Sequence, residues 1–276
     1  MAHDQVLNEA LRLDATGRYG EAIKLWEQLR NLPDLDIESH CIFLLNERKC
    51  RSALGQHEIA QQLLDRVENI DTAHQFWLYV EHARIDVLYK QNKFAEGNER
   101  SRNFLKENAK QLTRPDYAFL VYEQKLGLAR GLINTNELDE GLQLLTELLA
   151  VAEEDDRQEI HYYRGYAYQQ LRQYDSAIDA FKHVLNANNG DSWAAAAHYF
   201  LAEIYVSKHA LAWAKQHLQN AEDLKDSLTF PVSYVYASLS NVCFKLNELE
   251  EGWRYKTLAE SEPSATAKNW HPWKIF

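Results

Sequence analysis

The chain has 276 residues, with 30 Lys and Arg against 41 Asp and Glu and a formal net charge of -11. A surface that acidic repels phosphate backbones and anionic lipid, so no nucleic acid and no membrane is expected among its partners. Only 5 Pro and 10 Gly occur, in a chain rich in Leu, Ala, Glu and Gln, which favours helix and leaves little turn material for a many-stranded sheet.

Taken in chain order, one pair of predicted helices recurs seven times. The first helix of each pair ends at Gly17, Gly55, Asn92, Asn136, Arg172, His209 or Asn247, and five of these seven are Gly or Asn, which tolerate a left-handed backbone. Two residues later the second helix opens on Tyr19, His57, Phe94, Leu138, Tyr174, Leu211 or Leu249, mostly large and apolar. Three further on stand Ala22, Ala60, Gly97, Gly141, Ala177, Ala214 and Gly252, at separations of 38, 37, 44, 36, 37 and 38. A residue that small is what two helices need where they approach most closely. Seven positions beyond it, Leu29, Val67, Phe104, Leu148, Val184, Ala221 and Ala259 are all apolar. The five prolines, Pro33, Pro115, Pro231, Pro263 and Pro272, fall between pairs or in the tail. One such hairpin cannot bury both of its faces, so neighbours must stack into a solenoid. The repeats run about 3–36, 41–74, 78–111, 122–155, 158–191, 195–228 and 233–266. The 44-residue step contains NFLKENAKQLTRPD and predicts a lengthened second helix in the third repeat, or a hinge at Thr113 to Asp116.

This pattern resembles the tetratricopeptide repeat family. The fifth repeat, EIHYYRGYAYQQLRQYDSAIDAFKHVLNANNGD, places Gly165, Tyr168, Tyr174, Ala177 and Phe181 at the family's positions. The sixth follows with Leu201, Ala202, Tyr205, Ala214 and Ala221, and the first with Gly17, Tyr19, Ala22 and Trp26. Repeats two, three and seven depart from it: Arg48 and Ile85 replace the small residue, and Ser101 and Lys256 the aromatic. The resemblance implies an all-α fold, a right-handed α-solenoid superhelix of helix-turn-helix repeats over 1–266.

It also implies a concave groove lined by the first helices. The family's groove positions fall on Lys49, Tyr79, His82, Asp86, Tyr89, Arg130, Glu159, Tyr162, Tyr166, Gln169, Tyr199, Glu203, Tyr234 and Asn241, with Phe244 beside the last. Tyrosine offers a rigid apolar face with a hydroxyl, suited to holding a peptide or a helix. The expected function is therefore a non-catalytic scaffold for a protein or peptide partner. A regulator that senses a peptide or small ligand, and a self-assembling structural protein, are the alternatives. No repeat carries the Lys and Asn pair by which related proteins clamp a chaperone's terminal carboxylate. Apolar groove positions at Leu7 and Leu11 leave room for a homo-dimer through the first repeat.

No cofactor and no metal are expected. The string Asp155-Asp156-Arg157-Gln158-Glu159 has the DDxxE form of magnesium-binding helices, but it falls at a repeat junction and no second acidic motif follows. The eleven histidines form no HExxH and no zinc-spaced cluster, and no phosphate-binding or nucleophile motif occurs, so no enzyme is expected. Cys41, Cys50 and Cys243 make an odd number with no CxxC pair, which points to a reducing compartment. MAHDQVLNEALRLD lacks the character of a signal peptide, so the expected location is cytoplasmic. The tail 267–276, with Trp270, Trp273 and Phe276, is expected to fold back as a cap over the last repeat, or else to act as a ligand.

Overall fold

The computed structural model describes residues 2–187 and 191–262, and among these no strand occurs. The chain divides into two compact units, Met1–Thr135 and Asn136–Phe276. In the first, α1 (Ala2–Ala15) and α2 (Tyr19–Arg30), α3 (Ile37–Ala53) and α4 (His57–Ile70), and α5 (Trp77–Lys90) and α6 (Phe94–Glu107) form three successive hairpins. They are followed by the one-turn α7 (Ala109–Leu112), a 3-10 turn at Pro115–Tyr117, and α8 (Ala118–Asn134), which packs on α5 and α6. In the second unit, α9 (Leu138–Leu149) packs on α10 (Glu154–Gln170), which pairs with α11 (Tyr174–Asn186). Then α12 (Asp191–Ser207) pairs with α13 (Leu211–Asp223), and α14 (Ser233–Lys245) with α15 (Leu249–Ser261). Among the described residues no helix is long and apolar enough to cross a membrane.

The turns follow from backbone chemistry. All seven aligned turn residues have positive φ: Gly17 71°, Gly55 73°, Asn92 60°, Asn136 65°, Arg172 58°, His209 58° and Asn247 64°. That conformation lets the turn close two hydrogen bonds on the helix end, as when Arg18 N donates to Leu13 O (2.9 Å) and Gly17 N to Asp14 O (3.0 Å). The same pair recurs at Gln173 to Tyr168 (2.9 Å) and Arg172 to Gln169 (2.9 Å). Six of the seven turns carry this pair, which satisfies two orphaned carbonyls of the first helix and sets the path into the second.

Helix packing follows from the small residues. Ala22, Ala60, Ala177 and Ala214 are wholly buried, and around them lie Trp26, Leu64 and Phe181, also wholly buried. A fully buried side chain of that size contributes about 1.5–3 kcal/mol. The long step in the third repeat is not one lengthened helix. Helix α6 stops at Asn108, whose amide donates back to Phe104 O (2.9 Å), and the extra residues form α7 and the 3-10 turn instead. The unit boundary falls at Thr135 and Asn136, not at Thr113 to Asp116. The expected tail cap, 267–276, lies outside the described residues.

Close approach sets the outcome of glycine substitution. A Cβ on Gly165 would stand 2.8 Å from Cε1 of Phe181, whereas one on Gly20, inside α2, would meet nothing within 4 Å. Gly165→Ala should therefore lower stability by about 1–3 kcal/mol through overpacking, and Gly20→Ala should raise it by up to ~1 kcal/mol through helix propensity. Urea denaturation of the two variants beside the parent chain checks both signs.

Candidate functional site

In the first unit the expected groove residues lie on α3, α5 and α8. Asp86 is their hub: its Oδ2 receives Nη1 of Arg48 at 3.0 Å and Nζ of Lys90 at 3.2 Å. Burial pushes this carboxyl upward, but Lys90 and Arg48 outweigh it and hold the group below the usual carboxylate range. Lys49 is exposed and turns to Oδ2 of Asp14 on α1, at 2.9 Å. One turn before Asp86, His82 Nδ1 lies 2.7 Å from Oε1 of Gln124, and burial lowers its pKa.

A chain of hydrogen bonds runs inward from that histidine. Gln124 Nε2 donates to Ser101 Oγ (2.6 Å), and Ser101 in turn shares a bond with the Tyr89 hydroxyl (2.8 Å). Tyr89 donates to Oδ1 of Asn98 (3.2 Å), and Asn98 Nδ2 donates to Oγ1 of Thr135 (3.0 Å). Each bond leaves the next group polarised in the same sense. The Tyr89 ring fits only because Gly97 and Gly131 flank it: a Cβ there would come within 2.7 Å and 2.6 Å of its Cε1.

In the second unit the corresponding residues lie on α10, α12 and α14. Tyr162 is 1% exposed. Its ring sits 4.9 Å from Trp193, 5.3 Å from Tyr163, 6.0 Å from Phe200 and 6.2 Å from Phe181. Tyr166 packs on Phe200 at 5.3 Å, and Tyr199 on Phe230 at 5.1 Å. Burial pushes the Tyr166 hydroxyl up to about 12 and the Tyr162 hydroxyl well above its ordinary value, and the latter has no hydrogen-bond partner. One turn beyond Tyr199, Glu203 is partly buried and its Oε1 accepts from Ser238 Oγ of α14 at 3.2 Å. Burial raises its carboxyl, opposed but not cancelled by Ser238 and the charge of Lys245.

These positions correct part of the expected groove. Tyr162, Tyr166 and Tyr199 do not offer open ring faces; they fill interior volume beneath Trp193, Phe200 and Phe230, while Tyr89 is partly buried between two glycines. Lys49 and Asn241 are exposed, while Tyr79, His82, Asp86, Arg130, Glu159, Gln169, Glu203, Tyr234 and Phe244 are partly buried. Sequence reasoning missed Arg48, Gln124, Ser101 and Ser238. Two of these, Arg48 and Ser101, had been visible only as departures from the repeat pattern. Of the first repeat's apolar pair, Leu7 packs against the core and Leu11 is 46% exposed.

Among the described residues, one group of three metal-type side chains converges: Cys243, Glu248 and Glu251. Lys215 already supplies it with a cation, its Nζ lying 2.6 Å from each carboxylate. Burial pushes the thiols of Cys41, Cys50 and Cys243 up to about 11, 12 and 11, so none is an activated nucleophile. The DDxxE string occupies the first turn of α10, where acidic residues favour the helix N-terminus.

Two histidine pairs complete the second unit. His161 stacks on His183 with centroids 4.5 Å apart, and Nδ1 of His198 lies 2.8 Å from Nδ1 of His217. Burial, with the neighbouring imidazole, pushes His161 and His198 down to about 4.

Two tests follow. Tyr162→Phe removes only an unpartnered hydroxyl and should leave stability unchanged or raise it by up to ~1 kcal/mol. Tyr162→Ala should cost about 3–5 kcal/mol, the comparison being made by urea denaturation. For the histidines, the unfolded chain takes up protons near pH 6.5 and the folded chain only near pH 4. Stability should therefore fall as pH drops from about 6.5 towards 4. After allowance for solvent screening, each depressed histidine should account for about 1–2 kcal/mol between pH 7 and 5. His198→Asn, measured by urea denaturation at both pH values, should shrink that difference.

The sequence model described as tetratricopeptide repeat matches residues 158–191. No curated protein sequence matches the chain. Among solved structures the chain is similar to the apo form of the quorum sensor NprR from B. thuringiensis, at 15% identity over 96% of this chain and 76% of that one, with a TM-score of 0.76. It is similar to a tetratricopeptide repeat protein from Parabacteroides merdae ATCC 43184, at 13% identity over 99% and 98%, with a TM-score of 0.60. MamA aligns at 18% identity over 67% of this chain and 96% of its own, with a TM-score of 0.50. At these identities the likeness is one of fold. One repeat of the second unit, residues 158–191, thus matches the tetratricopeptide repeat model, and the helical hairpins on both sides of it share the fold of solved tetratricopeptide repeat structures.

Proposed function

We propose that the chain is a non-catalytic binding module that holds a protein or peptide partner along the first helices of its repeats. The observation that carries this reading is the bridging of successive first helices by side chains. Arg48 of α3 reaches Asp86 of α5, His82 of α5 reaches Gln124 of α8, and Ser238 of α14 reaches Glu203 of α12. Within each unit, side-chain pairs thus tie consecutive first helices together, with Arg48 and Gln124 buried and the partly exposed members, His82, Asp86 and Glu203, left for an extended chain to engage. In the first unit Lys49, Asp86 and Arg130 supply alternating charge and Tyr79 partly open aromatic surface; in the second, Glu203 and Tyr234 supply a carboxylate and a partly open ring. The three free, buried cysteines support a reducing, cytoplasmic setting.

The fold shared with the apo quorum sensor NprR favours a second reading, a regulator whose superhelix tightens around a small ligand. Solution scattering separates the two, because a ligand-driven fall in radius of gyration belongs only to the regulator.

Random-peptide display on the purified chain tests the main reading, counter-screened with Lys49→Glu and Asn241→Glu, both at exposed positions, with melting curves to show that loss of the Lys49 pair to Asp14 leaves the chain folded. A motif enriched on the parent chain and lost on one of these variants is the expected result. Absence of any enrichment on folded, monodisperse protein would overturn it.

A further inference from the structure

Glu203 differs from the other carboxylates along the hairpins. Asp14, Asp86, Glu47, Glu81, Glu248 and Glu251 each hold a Lys or Arg at 2.6–3.0 Å. Glu203 is partly buried as well, yet among the described residues no cationic side chain touches it, and Lys245 acts on it only from a distance. Its Oε1 accepts the Ser238 hydroxyl, while Oε2 takes no hydrogen bond and is not among the atoms sealed from solvent. Tyr199 stands one turn away on the same helix, and Tyr234, on the next first helix, lies close enough to act on the Tyr199 hydroxyl.

A carboxylate drawn out of water without a counter-charge is costly, and the cost is relieved when a cation completes the pair. A chain of net charge -11 also draws cationic ligands towards its surface from a distance. We propose that Glu203 is the anchor for a cationic side chain of a bound peptide, the guanidinium of Arg or the ammonium of Lys, with its charge on the Oε2 of Glu203 that takes no hydrogen bond. This rests on the groove reading above and assigns it a partner chemistry.

The test uses acetylated, amidated hexapeptide pools in which one position is fixed as Arg, Lys, citrulline or norleucine and the rest are randomised among uncharged residues. Binding to the full chain is read by fluorescence polarisation for the parent, Glu203→Gln and Glu203→Met. Melting curves show that both variants are folded, and neither should melt below the parent, since each removes a partly desolvated charge. The expected result is at least tenfold tighter binding of the Arg or Lys pool than of the citrulline and norleucine pools. In both variants that preference should collapse to within twofold while norleucine-pool affinity stays unchanged. Peptide binding with no cation preference, or a preference that survives both substitutions, would overturn the role of Glu203 and leave the groove standing. Failure of every pool to bind the parent would overturn both.

Discussion

Two helices joined by a short turn can lie against each other only if the backbone reverses within that turn and nothing larger than a methyl group stands where they cross. Here both conditions are tied together. The left-handed residue and the small residue are five positions apart, so each turn fixes where the closest approach falls. Glycine meets the first condition without strain, and Asn nearly so, but Arg172 and His209 hold φ of 58° at a cost of about 1 kcal/mol each. That these two persist in the left-handed state shows how strongly the paired helices impose the turn on the chain.

The scaffold was legible because this constraint acts on residues close in sequence. Arg172 and His209 were placed by register, not by residue type, and the register held. The lining of the first helices was less legible, because whether a tyrosine lies open depends on what the next repeat puts over it. Nothing within HYYRGYAY tells that Trp193 and Phe200 close over Tyr162, since those rings lie 31 and 38 residues further on. The buried polar chain of the first unit was hidden for a related reason. Gln124, Asn98 and Ser101 look like surface residues until the fold joins them. Arg48, which looked like a lost helix contact, is instead the cation that meets Asp86.

Charge is distributed by the same logic. Much of the positive charge is spent on acidic partners inside each unit, most of them across neighbouring hairpins: Arg30 and Arg51 both reach Glu47, Arg84 joins Asp65 and Glu68, and Lys215 joins Glu248 and Glu251. Single exposed pairs contribute little, but these form small networks with one partner well shielded. Glu203 stands out beside them as a partly buried carboxylate that those cations do not reach.

The two interiors differ in kind, and this bears on how each unit yields to force. Around Tyr162 the contacts are between rings, which can slide by fractions of an ångström while losing little energy. Around Tyr89 the contacts are directional bonds in series, each of which either holds or breaks. The third hairpin and α8 should therefore resist bending until the chain from Gln124 to Thr135 gives way as a whole, while the stack from α10 to α14 bends gradually. A partner that must be gripped in one register is better served by the former, and one of variable shape by the latter.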